Sequence, residues 1–107
     1  MDIGIVDGIE EITRQSIVLV GVTNTIVADP RNTLPKRKVL TVRNNSAAAA
    51  SIITISFGQY PAINNAGIVL RQYESFTDAN DGAYECYQGQ INALCADANG
   101  SLSVFER

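Results

Sequence analysis

The residues that could do chemistry in this chain are few, and the type that is missing matters most: there is no histidine. Histidine is the usual general base near neutral pH and the commonest metal ligand. A Ser-His-Asp or Cys-His site therefore cannot form within one chain. The densest group of oxygen ligands is Asp78-Ala79-Asn80-Asp81-Gly82. A helix-loop calcium site needs alternating oxygens, a glycine, and a bidentate glutamate about six residues later. Here Glu85 follows Gly82 by only three residues. Turn chemistry explains the Asp, Asn and Gly without an ion. Carboxylate pairs can also hydrolyse glycosides, but Asp78, Asp81 and Glu85 are ordinary residues for a polar turn.

Cys86 and Cys95 are nine residues apart. On one strand, at roughly 3.3 Å per residue, that separation is far beyond the reach of about 7 Å for a disulfide. Free thiols are expected, with Cys95 on an apolar face beside Ile91 and Ala93. Tyr60, Tyr73, Tyr84 and Tyr87 fall at predicted loops and strand ends. Exposed tyrosines stack on sugars or fill protein interfaces. The basic residues Arg31, Lys36, Arg37, Lys38 and Arg43 are the nearest approach to a cationic cluster. A solvated turn or a subunit contact accounts for them more simply than a phosphate site. The net charge of −3 also argues against nucleic acid as a partner.

The elements that must position these residues are strands. At 107 residues the chain is expected to form one domain with one modest core. It is 46% hydrophobic and only 18% charged, against about 25% charged in a usual soluble domain. A surface poor in charge hints that part of it meets protein. Val, Ile and Thr recur in short runs separated by turn residues, which favours sheet. Ser16–Val22 reads as a strand and Asn24–Ala28 as its continuation or a second one. Asp29-Pro30-Arg31-Asn32 is a turn. Lys38–Arg43 is a strand with Leu40 and Val42 on one face. Ser51–Gly58 is the clearest, with Ile53, Ile55 and Phe57 on one face and Ile52, Thr54 and Ser56 on the other. Short strands follow at 67–70 and 74–77. Tyr87–Cys95 is expected as one strand with a bulge at Gly89. Asn99-Gly100 suggests a hairpin turn with paired positive φ, leading into Ser101–Glu106 with Leu102 and Val104 facing in.

The fold class expected is all-β: an antiparallel β-sandwich or small jelly-roll-like barrel of about seven to nine short strands. Residues 1–15 form an N-terminal arm or extra edge strand and residues 16–107 the sandwich domain. In the arm, Ile3, Ile5, Ile9 and Ile12 are candidates for contact with a neighbouring subunit. No apolar stretch approaches the ~20 residues of a membrane helix, and the acidic start is unlike a secretory signal.

The order of short motifs then resembles a known group. After Arg37-Lys38 come VLTVRNNS (39–46), ITISFG (53–58), NAGIVL (65–70), ESFTD (74–78), YQGQINAL (87–94) and SLSVFER (101–107). The pattern resembles small β-sandwich virion proteins of tailed bacteriophages, of the head-decoration (cement) or fibre-base type. It covers roughly residues 16–107; residues 1–14 depart from it. The resemblance implies a non-enzymatic structural protein on the capsid surface, assembled in the host cytoplasm. Its partners would be the major capsid protein or neighbouring virion proteins, and copies of itself, with no cofactor and no catalytic residue. The alternative is a carbohydrate- or receptor-binding module or fibre-base protein. The candidate interface residues on this reading are Ile3, Ile5, Ile9, Ile12, Tyr60, Tyr73, Tyr84 and Tyr87.

Overall fold

Period-two alternation decides which side of most strands is buried, and the structure, a computed structural model, follows it there. It describes residues 14–31 and 36–107. Ile3, Ile5, Ile9 and Ile12 of the expected arm, and Asn32 of the expected turn, lie outside the described residues. Eight strands are present: β1 (Arg14–Val20), β2 (Thr25–Ala28), β3 (Val39–Asn44), β4 (Ile53–Phe57), β5 (Ile68–Leu70), β6 (Ser75–Ala79), β7 (Ile91–Cys95) and β8 (Gly100–Glu106). Among the described residues there is no helix.

The strands form two four-stranded sheets, ordered β1-β8-β3-β6 and β2-β7-β4-β5. Every pairing is antiparallel. Consecutive strands change sheet at each step except β4 to β5. That order is the double Greek key of an eight-stranded jelly roll. The core lies between the sheets. Val20, Leu40, Val42, Leu102 and Val104 come from one side and Ile53, Ile55, Ile91, Ala93 and Cys95 from the other. Phe57, Phe76 and Tyr87 close it as a tilted aromatic group, with ring centroids 5.7 and 4.9 Å from Phe57. At one end the buried Asn44 side chain ties β3 to β5. Its Nδ2 donates to the Ser51 and Leu70 carbonyls, and its Oδ1 accepts from the Ser46 N–H.

Two sequence expectations are corrected. Asn99-Gly100 is not a hairpin turn, because β7 and β8 belong to different sheets. Neither residue has positive φ; among the described residues those are Asn65, Tyr73, Gly58, Gly67 and Gly82. Gly100 is required for space. A Cβ there would lie 2.4 Å from the Val20 carbonyl oxygen and 2.8 Å from the Cys95 side chain. The turn itself is closed by Asp97, whose carboxylate accepts from the Asn99 N–H and the Ser51 hydroxyl. Those two bonds hold it below the usual carboxylate range. The other correction concerns residues 87–90. Regular strand begins only at Ile91, because the Tyr87 and Gly89 carbonyls turn toward Arg37.

Gly100→Ala should therefore destabilise the fold by about 1–3 kcal/mol through overpacking. Gly21→Ala, where an added Cβ meets nothing within 4 Å, should leave stability unchanged or slightly raised. Urea unfolding monitored by circular dichroism gives both midpoints.

Candidate functional site

The two sheets treat their outer faces differently. On β2-β7-β4-β5 the polar outward residues Thr54 and Asn92 are buried, because the β4–β5 loop (58–67) lies over them. The Asn65 N–H donates to Thr54 Oγ1 (3.0 Å). Asn92 Nδ2 donates to the Gly58 and Tyr60 carbonyls (2.8 and 3.0 Å). The Ala62 N–H donates to Asn24 Oδ1 (2.7 Å). Each buried polar group thus has a partner, as burial demands.

The outer face of β1-β8-β3-β6 is open. The registers place Gln15, Ile17 and Leu19 of β1 opposite Phe105, Ser103 and Ser101 of β8. Thr41 and Arg43 of β3 follow, then Thr77 and Ser75 of β6. Ile17 is 69% exposed and Leu19 79%. The Thr41 and Thr77 hydroxyls bond each other across the strands at 3.0 Å. Arg43 is the one charged side chain of this row. Its guanidinium bonds Asn45 and sits 5.1 Å above the Tyr73 ring. Fully covering one exposed Ile or Leu stabilises by about 1.5–3 kcal/mol. This face can therefore reward a protein partner that covers its β1 edge, where Ile17 and Leu19 lie away from Arg43.

At one end of the sandwich the charges are gathered inside. Arg37, expected in a solvated turn or subunit contact, has no exposed surface at all. Its Nε donates to Glu106 Oε1 at 2.6 Å. Its Nη1 donates to the Gly89 and Tyr87 carbonyls (2.9 and 3.2 Å) and its Nη2 to the Asp29 carbonyl (2.5 Å). The Gln88 amide clasps the Arg37 backbone, accepting from its N–H and donating to its carbonyl, both at 2.7 Å. Arg31 and Arg14 approach the same Glu106 carboxylate at 3.5 and 3.9 Å. Sequence pattern alone missed this because the carbonyls that receive the guanidinium belong to distant, irregular segments.

The tyrosines do not converge. Tyr60 is 80% exposed on the β4–β5 loop. Tyr73, at φ 65°, lies under Arg43 between β5 and β6. Tyr84 is exposed, and its hydroxyl donates to the Asp78 carboxylate, which raises the phenol's pKa. Tyr87 is half-buried against Phe57 and donates to the Gln90 carbonyl. The tested calcium loop is a hydrogen-bonded turn: Asp78 also accepts from the Tyr87 N–H, and Asn80 Oδ1 from the Cys86 N–H. No cluster of three metal-ligating side chains occurs among the described residues. Both cysteines are free and buried. Burial, then the nearby Asp78 charge, pushes the Cys86 thiol up to about 11, against a weaker pull from Arg37.

No family model matches the chain, and no curated protein or solved structure is significantly similar to it.

Two outcomes follow from the closed end. Arg37→Met removes the hydrogen bond to a Glu106 side chain that is 3% exposed, leaving it only Arg31 and Arg14 at 3.5 and 3.9 Å, and takes the guanidinium from the Asp29, Tyr87 and Gly89 carbonyls; it should cost about 1–3 kcal/mol. The double variant Arg37→Met/Glu106→Gln should cost less than the sum of the single changes, in a double-mutant cycle by urea unfolding. Cys86 has a folded pKa raised above its ordinary 9.0, so its contribution is complete below pH 9 and is lost as pH rises through 11. Stability should fall across that interval, and less steeply in Cys86→Ala. The native thiol should react with a disulfide reagent at pH 8 far more slowly than the unfolded one.

Proposed function

We propose that this protein is a structural subunit of a virus particle, of the head-decoration type, which binds the major capsid protein and further copies of itself. The observation that carries this reading is the open outer face of β1-β8-β3-β6, with Ile17 and Leu19 exposed on its edge strand and Arg43 its one charged side chain. Solvent gives no reason to keep two large aliphatic side chains there, whereas a protein neighbour does. The jelly-roll order is also used by viral capsid domains, a fold-level analogy that by itself assigns no role. The motif order that resembles phage decoration proteins supports the same reading. A decoration subunit needs only a modest patch, because the symmetry of the shell repeats it many times and supplies avidity.

A carbohydrate- or receptor-binding role is the second reading. Jelly rolls also serve as lectins, and the exposed ring of Tyr60 favours it. Tyr73 and Tyr84 add less, since the first faces Arg43 and the second is tied to Asp78.

Purified particles imaged by cryo-electron microscopy test the first reading. The expected result is density for this sandwich at symmetry-related sites on the shell. Its absence from every shell and fibre position overturns the proposal. A glycan array that binds the chain, with binding lost in Tyr60→Ala, would move the assignment to the second reading.

A further inference from the structure

The two sheets have four edges, and they are not equally protected. β5 is three residues long and β2 four, with a register shift between Ile26 and Ala28. β6 is flanked by the segment that follows it: the Tyr87 N–H and the Cys86 thiol both bond to Asp78. β1 is different. It runs for seven residues in unbroken register with β8, and among the described residues no strand pairs with its other side. Proteins usually blunt such an edge with lysine, proline, a bulge or a covering loop. β1 reads Arg-Gln-Ser-Ile-Val-Leu-Val. It has no proline, no lysine and no bulge, and its one charge is at its first residue.

We infer that β1 is a self-pairing edge: two copies of this chain join antiparallel along β1, and two four-stranded sheets become one of eight. This deepens the structural role proposed above and rests on it, by naming the surface through which copies meet. A second copy is the occupant that the strand's own pattern fits. A two-fold axis perpendicular to the sheet keeps outer face against outer face, which the pleat requires. The register that pairs all seven residues puts that axis at Ile17. Ile17 then faces its own counterpart, and Leu19 faces the counterpart of Gln15 on the same outer face. On the inner face Ser16 meets the counterpart of Val18.

Charge selects the same direction. In the antiparallel arrangement the two Arg14 side chains are at opposite ends of the paired strands, about 20 Å apart at ~3.4 Å per residue. That exceeds the screening length of about 8 Å at physiological salt. A parallel arrangement would stack Arg14 on Arg14. The contact is isologous, so it closes at two copies and does not grow into a fibre. One strand pair with two aliphatic residues per copy falls short of the area of about 800 Å² per partner in a standard stable interface. The free protein should therefore dimerise reversibly, and the symmetry of a particle would make the contact persistent.

Sedimentation velocity on the full chain, from micromolar to near-millimolar concentration, tests this. The expected result is a reversible monomer–dimer equilibrium. Ile17→Lys, which sets two ammonium groups face to face at the axis, should weaken dimerisation at least about tenfold. Ile63→Lys, on the exposed loop over the other sheet, should leave it unchanged. Register is read by mild oxidation of single-cysteine additions, with the native thiols buried. Ile17→Cys should crosslink into a covalent dimer, because facing Cα atoms in an antiparallel pair are about 4.5–5.5 Å apart. Gln15→Cys should not, its counterpart being about 13 Å away along the strands.

A full chain that stays monomeric throughout overturns the inference. So does a chain that dimerises only after residues 1–13 are removed, since that segment would then be the occupant of the edge. Equal crosslinking of Ile17→Cys and Gln15→Cys also overturns it. An Ile17→Lys monomer that still coats particles leaves the structural role standing and confines β1 to self-association. A dimer that never binds particles upholds the pairing and rejects the role.

Discussion

The buried pair of Arg37 and Glu106 is the constraint around which one end of the molecule is organised. A guanidinium with no exposed surface must satisfy its donors internally or cost several kcal/mol. Here the partners come from four places: the carboxylate of β8, the Tyr87 and Gly89 carbonyls before β7, the Asp29 carbonyl after β2, and the Gln88 side chain on the backbone. These segments belong to both sheets. Their positions are fixed together, because moving any one of them leaves a buried polar atom unpaired. Hydrophobic packing alone tolerates sliding between layers; a forked cation with directed bonds does not. The irregular backbone of residues 87–90 follows from this, since carbonyls that face Arg37 cannot also serve a regular ladder.

The same centre shapes the surface at a distance. Glu106 gathers three of the eight basic residues, Arg14, Arg31 and Arg37. Lys36 pairs with Glu85. In a chain already poor in charge, that concentration leaves Arg43 as the one charged side chain in the outward row of β1-β8-β3-β6. On the opposite sheet the 58–67 loop covers Thr54 and Asn92, while Ile26 on β2 and Tyr60 and Ile63 on the loop itself are exposed. The polar outward positions of one sheet are thus covered by the chain itself, and those of the other are open.

Much of the fold was legible in the sequence, because a half-buried strand must alternate. Leu40 and Val42, Ile53 and Ile55, Ile91, Ala93 and Cys95, and Leu102 and Val104 all face the core as their spacing demands. What was not legible depended on contacts between distant segments. Asn99-Gly100 carries the local signal of a hairpin, but its glycine answers to the Val20 carbonyl and the Cys95 side chain in the corner where the sheets meet. Arg37 sits in a basic run that local statistics assign to solvent. Thr54 and Asn92 had the clearest missed signal: polar residues at outward positions read as wet, yet they are the anchors for the covering loop. The open face was not legible, because β1 reads as three polar residues followed by four apolar ones, with no alternation to say that Ile17 and Leu19 point outward.

The outward placement of Ile17 and Leu19 carries the functional weight. In a monomer whose sheets each bury one face, an outward aliphatic residue in a strand gains nothing from folding and adds a risk of misassociation. β1 places two of them at successive outward positions, on the longest and least protected edge. The adjoining β8 offers Ser101 and Ser103, small enough to let a partner approach the sheet. Stability does not call for this arrangement, because the core is complete without Ile17 and Leu19. An account of the chain as a self-contained monomer leaves them unexplained, whereas an account in which the sheet continues into a neighbour gives each of them a counterpart.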